Sequence, residues 1–129
     1  MEFEWYPQYM DPDAKAQVQN FIHKKLAKHK ELYVQVLEFL RKLKETEELE
    51  TFYTSGWLKQ LSGGLHEMRI PPRRPGGVVR IYFSFNPLKE HSLLILDAEL
   101  KKDREAEKTD TASKRLTEYQ EYLKRRSKK

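Results

Sequence analysis

Two short stretches place charged side chains inside segments that otherwise read as β-strand: Leu65-His-Glu-Met-Arg-Ile70 and Val78-Val-Arg-Ile-Tyr-Phe-Ser-Phe85. Side chains alternate between the two sides of a strand. Leu65, Glu67 and Arg69 therefore share one side of the first segment, and His66, Met68 and Ile70 the other. In the second, Val79, Ile81, Phe83 and Phe85 form an apolar side, opposite Arg80, Tyr82 and Ser84. Hairpin pairing sets Arg69 and Glu67 beside Arg80 and Tyr82. Lys101 and Lys102 emerge where a third apolar segment ends, with Arg104 close behind, and Arg73 and Arg74 hang from the loop between the first two segments. Cations from separate segments are thus expected to converge on one concave sheet face. Such a face suits RNA: phosphates bind Arg and Lys, and a ring such as Tyr82 can stack on a base. RNA cleavage by attack of a 2′-OH on its own phosphate needs proton transfer and stabilisation of negative charge, and does not require a metal. A cross-strand Glu–Arg pair in a half-exposed sheet is the plainer reading of the same residues.

The remaining inventory narrows the chemistry. The chain has no cysteine, which excludes disulfides, thiolate catalysis and cysteine-held metals. Its four histidines, His23, His29, His66 and His91, lack metal-ligand spacing, and the first two lie among lysines. No P-loop, GxGxxG, GxSxG or EF-hand pattern occurs, so neither a metal nor a cofactor is expected.

Elements that could position these residues follow from periodicity. Residues 2–6 alternate like a short edge strand, ended by Pro7. Asp11-Pro12-Asp13 reads as a helix start. Two apolar stripes follow at helical spacing, one through Val18, Phe21, Ile22 and Leu26, the other through Leu32, Val36, Phe39, Leu40 and Leu43. A helical hairpin buries both on a common surface. Residues 57–61 read as a short packing segment before the Ser62-Gly63-Gly64 break. Ser92–Ala98 is a nearly continuous apolar run, as in a central strand covered on both faces. Ala112, Leu116, Tyr119 and Leu123 mark a C-terminal amphipathic helix whose last few residues fray. The expected fold is α+β: a small antiparallel sheet of three or four strands, an N-terminal helical hairpin on one face and a C-terminal helix.

Length and charge agree with this reading. The 129 residues fit one domain, 1–129. Charged residues reach 35% and mean hydropathy is −0.87, so buried positions must come from the patterned segments. Residues 1–64 carry 9 basic and 10 acidic side chains, and residues 65–129 carry 16 and 10. The whole positive excess therefore lies in the second half, which favours a polyanionic partner there. No apolar run approaches a membrane span and the start is not signal-like, so a cytoplasmic protein without membrane contact is expected.

The series Leu61-Ser-Gly-Gly-Leu-His-Glu-Met-Arg-Ile70, Val79-Arg-Ile-Tyr-Phe83, Leu94-Ile-Leu96 and Lys101-Lys102 resembles the RelE/ParE toxin superfamily, within it the HigB-like toxins of phage-derived type. The likeness covers roughly residues 57–104. It implies a RelE-like domain and the toxin of a type II toxin–antitoxin pair, in many members a ribosome-dependent mRNA endonuclease that inhibits translation. The implied partners are a cognate antitoxin, in a toxin–antitoxin hetero-oligomer, and mRNA on the ribosome. By position, the resemblance assigns Arg80 to phosphate stabilisation, Arg69, Lys101 and Lys102 to phosphate binding, and Tyr82 or His66 to proton transfer. RNA binding would involve His66, Glu67, Arg73, Arg74 and Arg104. Glu99 stands in the region where the family often has an aromatic residue. Two other actions fit such a fold: a non-catalytic module that binds nucleic acid or protein, and ParE-type inhibition of gyrase.

Overall fold

A computed structural model of the chain describes residues 1–72, 78–101 and 109–127. Its elements run β1 (Glu2–Trp5), α1 (Gln17–Asn20), α2 (Lys30–Lys44), α3 (Glu50–Thr54), β2 (Leu58–Gln60), β3 (His66–Ile70), β4 (Val78–Phe85), β5 (Ser92–Lys101) and α4 (Asp110–Ser127). The fold is α+β, but the sheet is larger than expected and is mixed. Its five strands lie in the order β1-β5-β4-β3-β2. β1 runs parallel to β5, with Phe3 opposite Leu93, while every other pairing is antiparallel. Parallel neighbours need a long crossover, and the chain between β1 and β5 supplies one. The fifth strand is β2, drawn from the segment that reads in sequence as a packing piece. Its Leu58 is buried and Lys59 and Gln60 are exposed, so only one residue carries an apolar signal.

The first helix begins later than Asp11. Asp11 instead accepts a hydrogen bond from the Asp13 backbone N–H at 3.1 Å, closing a local turn. Helical backbone starts at Gln17 and continues from α1 through a π-helical stretch, Phe21–Lys25, and a 3-10 turn, Leu26–Lys28. It breaks at His29 (φ −111°, ψ 78°) before α2. Across the break, His23 Nδ1 and the Tyr33 hydroxyl meet at 3.1 Å. Both apolar stripes end in one core: Val18, Ile22 and Leu26 pack with Val36, Phe39, Leu40 and Leu43 against Met68, Ile70, Val79, Ile81, Phe83, Leu93 and Ile95 of the sheet. Each such side chain contributes on the order of 1.5–3 kcal/mol through burial.

The other sheet face is covered too. Ala112, Leu116 and Tyr119 of α4 pack on Leu65, Tyr82, Leu94 and Leu96. This is why β5 reads as a continuous apolar run: Leu93 and Ile95 serve one core, Leu94 and Leu96 the other. Among the described residues no helix is long and apolar enough to cross a membrane. α4 extends to Ser127, and the rest of the expected frayed end, residues 128–129, lies outside the described residues.

Candidate functional site

Pairing of β3 with β4 sets Arg69 opposite Arg80 and Glu67 opposite Tyr82. Pairing of β4 with β5 sets Arg80 opposite Glu99, Tyr82 opposite Asp97 and Val78 opposite Lys101. All seven polar residues therefore share one face of three adjacent strands. A β-bulge makes this possible. The register passes from Tyr82–Asp97 to Phe83–Ile95, so Leu96 has no partner in β4. One extra residue reverses the alternation of β5. Leu94 and Leu96 lie on the α4 side before the bulge, and Asp97, Glu99 and Lys101 lie on that same side after it.

Within the cluster, Glu67 Oε1 is 3.2 Å from Arg80 Nη1 and 3.5 Å from Arg69 Nε. The Tyr82 hydroxyl donates to Glu99 Oε1 at 2.8 Å. Glu67 and Tyr82 are fully buried, Arg80 is 6% exposed and Lys101 9%. Arg69 reaches further out, with 32% of its side chain accessible. A guanidinium stays protonated under any ordinary condition, so burial of Arg80 demands the Glu67 carboxylate beside it. The Nε atoms of Arg69 and Arg80 are buried with no hydrogen-bond partner among the described residues.

The Leu96 carbonyl next to the bulge accepts a hydrogen bond from Arg115 Nη1 at 2.7 Å. The same nitrogen lies 3.4 Å from Asp97 Oδ1, and Nη2 of Arg115 donates to Gln17 Oε1. Arg115 thereby ties α4 to the bulge and to α1. Burial holds the Asp97 carboxyl above its ordinary value, outweighing the Ala98 backbone N–H and Arg115.

Arg69, Arg80, Lys101, Glu67 and Tyr82 are thus brought together. Two expectations need correcting. The Tyr82 ring lies sealed in the second core, so it offers no surface for a base to stack on. His66 lies on the opposite sheet face, as strand alternation requires: its Nδ1 meets the Tyr53 hydroxyl at 2.8 Å and its ring stacks on Phe83 at 5.4 Å. Burial lowers the His66 pKa and pushes Tyr53 up to about 12, so Tyr53 donates and a neutral imidazole accepts. Arg73, Arg74, Lys102 and Arg104 lie outside the described residues. Sequence reasoning missed Asp97, Glu99 and Arg115 as members of the cluster. The spacing Asp97–Glu99–Lys101 carries a signal for the first two, but nothing local marks Arg115.

Among the described residues no group of three or more His, Asp or Glu side chains could hold a metal ion. A comparison with protein-family models finds no match, and neither do comparisons with curated proteins and with solved structures.

Proposed function

We propose that this chain is the toxin of a type II toxin–antitoxin pair, of the RelE/ParE kind, and that it cuts mRNA on the ribosome without a metal. The observation carrying this reading is the row Arg69–Arg80 across β3 and β4 with Lys101 on the same face of β5. Three cations on one face bind a polyanionic backbone and offset charge that builds on a phosphorane. Arg69 and Lys101 meet the phosphate, and Arg80 supplies fixed positive charge behind them. Glu99, opposite Arg80 and hydrogen-bonded by Tyr82, takes the 2′-OH proton as that oxygen attacks phosphorus. The P–O5′ bond breaks, and the 5′ oxygen leaves with a proton from Lys101. A 2′,3′-cyclic phosphate and a 5′-hydroxyl end result. In this reading Tyr82 is a positioning residue, and the cognate antitoxin holds the toxin inactive in the cytoplasm.

A second reading, a non-catalytic module binding nucleic acid or protein, is favoured by one observation: Glu67 already neutralises Arg80 in a buried pair. Induced expression with primer extension on cellular mRNA tests both. Growth arrest with cuts in translated messages is expected, lost in Arg69→Gln and Lys101→Gln proteins whose circular dichroism is unchanged. A folded wild-type chain that cuts nothing, with or without ribosomes, overturns the endonuclease reading. DNA damage induction without mRNA cuts points to gyrase inhibition instead.

A further inference from the structure

A second site lies at the far end of the α4-covered face, where the edge strand β1 meets the last turns of α4. A cleft of about 600 Å³ opens there, in the size range of small-molecule sites. Aromatic residues from three places line it: Trp5 of β1, whose ring packs toward the first core, Tyr9 from the following turn, and Tyr119 and Tyr122 from α4. Tyr9 meets Tyr119 edge to face at 4.8 Å and lies 5.5 Å from Tyr122. Sequence periodicity accounts for Tyr119, which belongs to the apolar stripe of α4, but not for the convergence of the other rings upon it.

Three further features narrow the ligand. The Tyr9 and Tyr119 hydroxyls are buried without a hydrogen-bond partner among the described residues, a costly state that a polar ligand edge relieves. Burial pushes Tyr119 up to about 12, and Tyr9 upward as well, so both remain protonated donors. Glu4 and Asn86 line the same cleft and are joined by a 3.1 Å hydrogen bond. At the mouth, the Arg126 guanidinium lies 5.6 Å from the Tyr122 ring centre and donates to its hydroxyl at 3.4 Å. Arg125 stands exposed beside it on the same helix turn.

Each feature selects against a class of ligand. A cation of the kind held in aromatic cages would meet the like charge of Arg126 in the cleft lining. A purely apolar ligand would leave the tyrosine hydroxyls unpaired. A planar heterocycle with polar edges and an attached phosphate satisfies both constraints. We infer that the cleft binds a nucleotide, with its base against the Tyr9 and Tyr122 rings and its phosphate on Arg126. Stacking on aromatic faces accepts any base, whereas Glu4 and Asn86 can read a base edge. The inference rests on the RNA-directed reading above only for the source of the nucleotide, a single strand threading past α4.

Trp5 is one of two tryptophans in the chain, and the other, Trp57, stacks on Phe39 and does not line the cleft. Tryptophan fluorescence of the full chain, titrated with each nucleoside 5′-monophosphate and with single-stranded RNA hexamers, therefore reports on the cleft. Saturable quenching is expected, and Trp5→Phe should remove it. Tyr122→Ala, a half-buried position outside the core, should weaken binding about tenfold or more, as loss of a base–aromatic stack does. Arg126→Ala should weaken binding of monophosphates and leave unphosphorylated nucleosides unaffected. Hexamers binding more tightly than monophosphates identify a strand as the source, and equal affinities identify a free nucleotide. No response to any nucleotide overturns the inference, as does binding that Tyr122→Ala and Arg126→Ala leave unchanged. A chain that binds nucleotide here and cuts nothing upholds this inference and sinks the endonuclease reading, and one that cuts RNA without any response at Trp5 does the reverse.

Discussion

The Arg80 guanidinium and the Glu67 carboxylate meet at 3.2 Å between β3 and β4, both shut away from water. Arg69 touches the same carboxylate oxygen from the solvent side. Glu67 is therefore shared by a buried and a half-exposed cation, and the two arginines differ in what their loss would do.

Removing Arg80 alone leaves a buried carboxylate without its main counter-charge. Arg80→Met should lower the free energy of unfolding by about 3–5 kcal/mol, and the double variant Arg80→Met/Glu67→Met should recover most of it. Arg69→Gln, at a half-exposed position, should cost under about 1 kcal/mol. Urea denaturation at neutral pH distinguishes these outcomes. An Arg80→Met chain as stable as wild type would mean that the pair contributes nothing to the fold.

Tyr82→Phe keeps the buried ring and removes only its hydrogen bond to Glu99. A stability loss of about 1 kcal/mol is expected. If Glu99 takes the proton in RNA cleavage, the cutting rate should also fall while RNA affinity stays the same. Single-turnover cleavage beside a binding titration separates the two quantities.

The His66 ring, neutral when buried against Phe83 and Tyr53, sets a pH dependence. Its pKa is depressed in the folded chain, so the unfolded chain binds the proton more readily and stability falls with pH below about 6.5, the ordinary histidine value. Urea midpoints taken from about pH 7.5 down to about pH 5.5 should decline, and His66→Gln should flatten that decline. Asp97 acts with the opposite sign in a more acidic window. Its raised pKa favours the folded chain below its ordinary carboxylate value, and that advantage is lost as pH rises through the folded one.

Arg115→Leu should loosen α4. It loses the 2.7 Å bond to the Leu96 carbonyl and the contact with Asp97, at an expected cost of about 1–3 kcal/mol. Amide hydrogen exchange should show faster exchange across 110–127 than in β3 and β4, whose protection should hold. Uniform acceleration in every element would argue against a local latch.

Much of this protein is legible in its sequence because strand and helix alternation is a local property. The apolar side of β4, the two stripes of the N-terminal helical region and the stripe of α4 follow from spacing alone, as does the placing of Glu67 and Arg69 together with Arg80 and Tyr82. What the spacing leaves open is decided by contacts distant in sequence. β2 is a strand because it finds an edge beside β3. β1 runs parallel to β5, where local patterning expresses no direction. Strict alternation continued from Leu93 and Ile95 would send Glu99 and Lys101 to the opposite face from Arg80. The unpaired Leu96 reverses their direction, and pairing between strands, not local pattern, creates that bulge. α4 then closes over Tyr82, turning an expected stacking platform into core. Burial of a ring depends on what covers it, and that covering helix begins 28 residues further along the chain.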